Sequence, residues 1–301
     1  VMSFLEHFFI ILALIIAITI AIFAIGDLLT GPAPSAVGTL SVDFPVESVQ
    51  IPAADGPTVH GWLAYGQPGG GVVLLVHSIR SNRLEMLSRA RFLKEQGYSV
   101  LTIDLQAHGE TSGERITFGL RESENVEASV TYLRNTFPTE RIGAIGTFLG
   151  AAAIVLANQD LKLHAVILES LHPTIEEAVE NRLKLHFGSY GSALLPLMLS
   201  QLSFYLDTSM QALSPITRIN NFSSPVLFIS GTQDAHTTQS ETERLYAAAR
   251  VPKELWIVPG AGHFNMHTYA GKEYEQRVSA FLAQYLQPDR GSDFFQSKYG
   301  Q

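Results

Sequence analysis

Six short runs of almost unbroken aliphatic residues, most of them followed by a segment with helical periodicity, constrain this 301-residue chain more than any other feature. The runs fall at 72–77, 100–104, 142–145, 165–169, 226–230 and 255–258. A strand exposed on one face alternates apolar and polar residues, whereas these runs are apolar nearly throughout and so read as strands buried on both faces. Helical spacing over 83–96, 122–137, 149–158, 239–249 and 274–286 supplies the cover. Strand–helix alternation of this kind predicts an α/β fold with a mostly parallel sheet and helices on both faces. Segments 40–44, 48–51 and 60–65 read as opening antiparallel strands, with a turn at Asp55-Gly56-Pro57. The rhythm breaks between about 171 and 224, where a helix-like stretch and a Leu-, Met-, Phe- and Tyr-rich segment predict a helical cap over the strand ends. Such a cap reads as an apolar lid or, alternatively, as a surface that touches a membrane.

The amino-terminal segment obeys a different rule. Residues 8–25 carry no charge and reach about 27 Å as a helix, close to the thickness of a bilayer core. A cleavable signal peptide has a basic leader and a shorter apolar stretch, and no Lys or Arg precedes Arg80. Residues 1–29 are therefore read as a membrane anchor, in preference to a signal peptide or a buried core helix. The flanks lack the basic residues that set topology, and the expected orientation leans toward an exported carboxy-terminal domain. The Gly- and Pro-bearing stretch 30–38 reads as a linker, 39–288 as the main domain starting near Thr39, and 289–301 as a polar tail.

Composition removes several function classes. The chain is 46% hydrophobic and 16% charged, with 20 Lys+Arg against 28 Asp+Glu and a net charge of −8. That balance opposes disorder, and it opposes nucleic-acid binding, which needs a basic surface. With no Cys, thiol nucleophiles, disulfides and Cys-ligated metals are excluded. No phosphate-binding glycine fingerprint occurs, so no nucleotide cofactor is expected. His263 and His267 are spaced like metal ligands, but no third ligand joins them and no metal site is expected.

In parallel sheets, ligands gather at the carboxyl ends of the strands. Three ends carry chemistry: Gly146-Thr147-Phe148-Leu149-Gly150 after one strand, Gly231-Thr232-Gln233-Asp234 after another, and Gly260-Ala261-Gly262-His263 after a third. Together with His77-Ser78-Ile79-Arg80 and Asp104-Leu105-Gln106-Ala107-His108-Gly109, these pieces resemble the α/β-hydrolase fold family over about 45–287, in particular its bacterial lysophospholipase and serine-aminopeptidase-like members. The resemblance implies an ester or acyl hydrolase ancestry. It implies that Asp234 orients an imidazole, that His263 is the general base, and that Ser78, Ile79 and Leu149 form the oxyanion region. His77, His108 and His236 read as loop-bracing residues. The family places Ser at the centre of its Gly-x-Ser-x-Gly elbow, and this chain has Phe148 there. It also has Ser78 where the family usually has Gly.

A phenyl ring has neither a proton to give nor a lone pair to attack with. Ordinary serine hydrolysis is therefore expected to be impaired, leaving a protein that binds an apolar or acyl ligand or a partner. The alternative is an active hydrolase that uses Asp234 and His263 with a substitute nucleophile, Ser78 or Thr147. Oligomeric state is not legible.

Overall fold

Every residue of the run Val72–Val76 is buried, because helices cover both faces of the strand it forms. The same holds for Ser99–Ile103, Ile142–Thr147, Ala165–Glu169 and Val226–Gly231. The structure is a computed structural model that describes residues 4–38, 44–54, 56–157 and 161–287. The expected domain start at Thr39, the strand at 40–43, Asp55 of the turn and the polar tail 289–301 lie outside the described residues.

One eight-stranded sheet organises the molecule. Its strands are β1 (Glu47–Ile51), β2 (Val59–Ala64), β3 (Val72–Val76), β4 (Ser99–Ile103), β5 (Ile142–Thr147), β6 (Ala165–Glu169), β7 (Val226–Gly231) and β8 (Lys253–Val258). Their order across the sheet is β8-β7-β6-β5-β3-β4-β2-β1. β3 to β8 run parallel, while β2 is antiparallel to β1 and β4. The order reverses at β3, which leaves a crevice beyond the strand ends where ligands bind in folds of this type.

The helices are α1 (Phe4–Thr30), α2 (Leu87–Glu95), α3 (Glu122–Thr136), α4 (Leu149–Leu156), α5 (Ile175–Phe187), α6 (Leu195–Leu206), α7 (Ile216–Ile219), α8 (Gln239–Ala248), α9 (Met266–Ala270) and α10 (Lys272–Leu286). They divide the interior into two cores. Val126, Val130 and Leu133 of α3, the apolar residues of α4 and Met198 and Leu202 of α6 pack into one. Ala90 and Leu93 of α2 and Val278, Phe281 and Leu282 of α10 pack into the other. Each fully buried Leu, Ile, Val or Phe contributes about 1.5–3 kcal/mol relative to exposure. Between β6 and β7, α5, a 3-10 segment (Gly188–Leu194), α6, a second 3-10 turn (Met210–Leu213) and α7 form the helical insertion expected from 171 to 224.

Three segments depart from expectation, the first being β8, an edge strand in which only Trp256 and Val258 are buried. The stretch 83–96 is not one helix: Arg83–Met86 is a 3-10 turn capped by Asn82, and α2 starts only at Leu87. The Arg83 amide and guanidinium both bind Asp104, at 2.7 Å each, and this anchors the first turn on the neighbouring strand end. Nor is 30–38 a free linker. Ala33–Pro34 pairs in parallel with His108–Gly109, Thr30 and Val37 are buried, and Asn82 donates to the Ser35 hydroxyl. Gly and Pro there shape a strap with a partner strand, which composition alone does not reveal.

Candidate active site

The site is built around the turn from β5 to α4. Phe148 sits between them at φ 46° and ψ −97°, a backbone conformation that non-glycine residues seldom adopt and that structure must enforce. Its amide donates to the Glu169 carbonyl and its carbonyl accepts from the Ala152 amide, both at 2.9 Å. A Cβ on Gly150 would meet the Val76 carbonyl at 2.3 Å, and one on Gly146 would meet the Ala151 nitrogen at 2.6 Å. The two glycines thus let the turn lie against β3 and α4, whatever residue stands at its centre.

The Phe148 ring is 1% exposed. Its centroid lies 5.4 Å from that of His263, edge to face at 88°, and 5.0 Å from that of His172. The Arg182 guanidinium of α5 stacks over its face at 4.9 Å. Phe148 therefore fills the ground between the elbow and the imidazole. His172 is fully buried, and neither ring nitrogen meets a hydrogen-bond partner among the described residues. Burial pushes its pKa down to about 3, with help from Arg182 and His263.

Asp234 and His263 come together as the resemblance implied. His263 Nδ1 lies 2.9 Å from Asp234 Oδ2 and 3.1 Å from Oδ1. The carboxylate also accepts from the amides of His236 and Thr237 at 2.9 Å and from the Ser170 hydroxyl at 3.0 Å. Burial raises the Asp234 pKa, but the His263 contact and these donors outweigh it, so the net shift is downward. An ionised Asp234 requires Nδ1 to carry the donated proton, which leaves the Nε2 lone pair free to act as a base. The His263 side chain retains 23% exposure, and the His236 ring packs 4.6 Å from it.

The remaining sequence-derived residues occupy other roles. The Ser78 amide donates to Glu85 Oε2 at 2.9 Å and its carbonyl meets His77 Nδ1 at 2.6 Å, so that amide is committed and not offered to an incoming oxygen. Ile79 packs against the core that contains Phe148, and Leu149 is the buried first residue of α4. The Thr147 hydroxyl points to Glu169 at 3.5 Å rather than to His263. His77 Nε2 accepts the Leu105 amide at 3.0 Å, His108 Nδ1 lies 2.8 Å from the Gln106 carbonyl, and His236 donates its own amide to Asp234. His267 is held by Ser88 and Glu275. Among the described residues, no group of three His, Asp or Glu side chains is placed to hold a metal ion.

Sequence reasoning passed over Ser170, His172 and Arg182. The first two follow β6, and the strand-end rule applied to that strand would have found them. Arg182 belongs to α5, where nothing in the sequence marks it.

Known proteins agree with this architecture. The model of the prolyl oligopeptidase family matches residues 199–289, a stretch that contains Asp234 and His263 but not the elbow. The chain is 27% identical over 236 residues to the uncharacterized protein YqkD of Bacillus subtilis, covering 77% of each. It is 25% identical over 260 residues to the alpha/beta hydrolase domain-containing protein WAV2 of Arabidopsis thaliana, covering 82% of each. Among solved structures, the Pyrococcus furiosus esterase PF2001 superposes with a TM-score of 0.70 at 23% identity, over 85% of this chain and 98% of that one. Sheet order, strained elbow and an Asp–His pair at successive strand ends define an α/β hydrolase fold. The chain has the α/β-hydrolase fold.

Proposed function

We propose that this protein is a membrane-anchored member of its family that binds an apolar or acyl ligand and does not carry out serine-type ester hydrolysis. The buried Phe148 ring, edge-on to His263 at 5.4 Å, carries this reading. In an active elbow the nucleophilic hydroxyl must lie about 2.6–3.2 Å from the base, and here carbon fills that space. The helical insertion contributes apolar side chains beside the site, which suits an acyl chain as the ligand. α1 is apolar enough over Phe4–Asp27 to cross a bilayer, and that supports the anchor.

One observation favours a second reading, an active hydrolase with a substitute nucleophile. The Asp234–His263 pair is fully assembled although Phe148 gives it no hydroxyl to activate. The direction of the Thr147 hydroxyl, toward Glu169, weighs against Thr147 in that role.

The test uses the full chain in detergent, with isothermal titration of a long-chain acyl ester and parallel labelling by a serine-directed fluorophosphonate. Saturable binding with no label and no product supports the binding reading. Fluorophosphonate labelling together with product formation that stops in His263→Ala overturns it in favour of the second.

A further inference from the structure

We propose that the carboxy-terminal end of α6 enters the lipid interface beside the anchor, so that the helical insertion rests on the bilayer. This inference rests on the reading of α1 as a membrane span.

The contact between the two helices gives the alignment. The Tyr205 hydroxyl donates to the Phe23 carbonyl at 3.3 Å, and the two rings meet at 6.3 Å. One turn earlier on α6, Gln201 abuts Gly26, where a Cβ would lie 2.6 Å from its Oε1. Numbers rise along α6 as they fall along α1, so the helices run antiparallel here. The carboxy-terminal end of α6 therefore points toward the free part of α1. That free part is exposed and apolar, and from Phe4 up to the contact at Phe23 it reaches about 29 Å. A bilayer core is about 30 Å thick, which places Phe23 at its boundary. Phe204, the neighbour of Tyr205, stands at that level with 75% of its surface exposed. Tyr and Trp side chains concentrate at this depth in membrane proteins, and Tyr205 lies at it.

The rest of the insertion agrees in chemistry. Leu197 and Phe204 lie on the exposed side of α6, and Phe187, Tyr190 and Leu194 are exposed before them, at the end of α5 and in the 3-10 segment. Contiguous exposed apolar surface of this kind marks an interaction site. Between Glu180 and Asp207 the chain has no acidic residue, while Arg182, Lys184 and His186 fall within it, in a protein of net charge −8. Lys184 is paired with Glu180. An acid-free apolar face meets no charge repulsion at a lipid surface.

The natural chain has no Cys, so a single introduced thiol can be labelled uniquely. The full chain is reconstituted in vesicles of phosphatidylcholine and phosphatidylglycerol, with an environment-sensitive fluorophore on Phe204→Cys, Ile15→Cys or Tyr65→Cys. Ile15 reports on the anchor. Tyr65 is an exposed reference at the opposite, amino-terminal end of the parallel strands, where the Gly66 amide meets the Ser99 hydroxyl at 2.9 Å. The expected result is quenching of the Phe204 and Ile15 labels by nitroxide-bearing lipid and of the Tyr65 label by aqueous iodide. Quenching of Ile15 by lipid while Phe204 responds to iodide as Tyr65 does would overturn the inference and leave the anchor standing. Quenching of Ile15 by iodide would overturn the anchor and the inference with it.

Discussion

His172 illustrates how a single side chain is constrained by the residue that stands at the elbow. It packs against Phe148 with both nitrogens buried and unpartnered among the described residues, and a buried polar group without a partner is destabilising by about 1–3 kcal/mol. His172→Leu replaces that group with an apolar one of similar size. The variant is expected to raise the unfolding free energy by about 1 kcal/mol in urea titrations at neutral pH. A loss of stability would show that the imidazole has a partner in solution. Asp234, His263 and the phenylalanine at the centre of the elbow were all legible from strand-end motifs, because each is short, local and ordered along the chain. The contacts of Arg182 and His172 with Phe148 were not, because they join elements far apart in sequence.

Among the elements, the turn between β5 and α4 tolerates the least change. Gly150→Ala drives a methyl group to 2.3 Å from the Val76 carbonyl, so β3 and α4 must separate. The expected loss is about 3 kcal/mol of stability by chemical denaturation, whatever residue occupies 148. A loss below about 0.5 kcal/mol would mean that the turn is not packed as described. The central strands were legible because burial on both faces leaves no polar alternation to misread. The strap at 30–38 was not, since its order comes from a two-residue pairing with His108–Gly109 and not from its own sequence pattern. The 3-10 turn at Arg83–Met86 was hidden for a related reason: Asp104 fixes it from across the fold.

Across the whole molecule, the sheet separates two cores, and buried charge at the sheet ties distant segments together. Arg89 of α2 donates to Glu169 at the end of β6 at 3.0 and 2.5 Å, and the Tyr274 hydroxyl of α10 donates to the same carboxylate at 2.6 Å. Arg89→Met leaves that carboxylate buried without its cation, and a loss of about 3–5 kcal/mol is expected in thermal or urea unfolding. Acid acts on the whole fold through its buried histidines. Burial lowers His77 and His108 to about 4 and His172 to about 3, so all three are neutral when folded and take up protons when unfolded below about 6.5. Their contribution to stability is complete above that pH and is lost as pH falls toward 4. Asp104 and Glu241, whose pKa values are raised by burial, act in the opposite direction. The melting temperature is expected to fall between pH 6.5 and 4, with a shallower slope in His172→Leu. A melting temperature that rises over this interval would contradict the neutral, buried state of the three rings.

The reading of Asp234 and His263 as an assembled pair that lacks a nucleophile is tested most directly by hydrolysis of short- and long-chain p-nitrophenyl esters. The full natural chain, Phe148→Ser, and Phe148→Ser combined with His263→Ala would be assayed side by side. A serine at the strained elbow would stand beside the free Nε2 of a His263 already oriented by Asp234. The expected outcome is no His263-dependent turnover in the natural chain, a gain of at least about 100-fold in kcat/KM for Phe148→Ser, and its loss in the double variant. Turnover in the natural chain that disappears in His263→Ala would contradict the account.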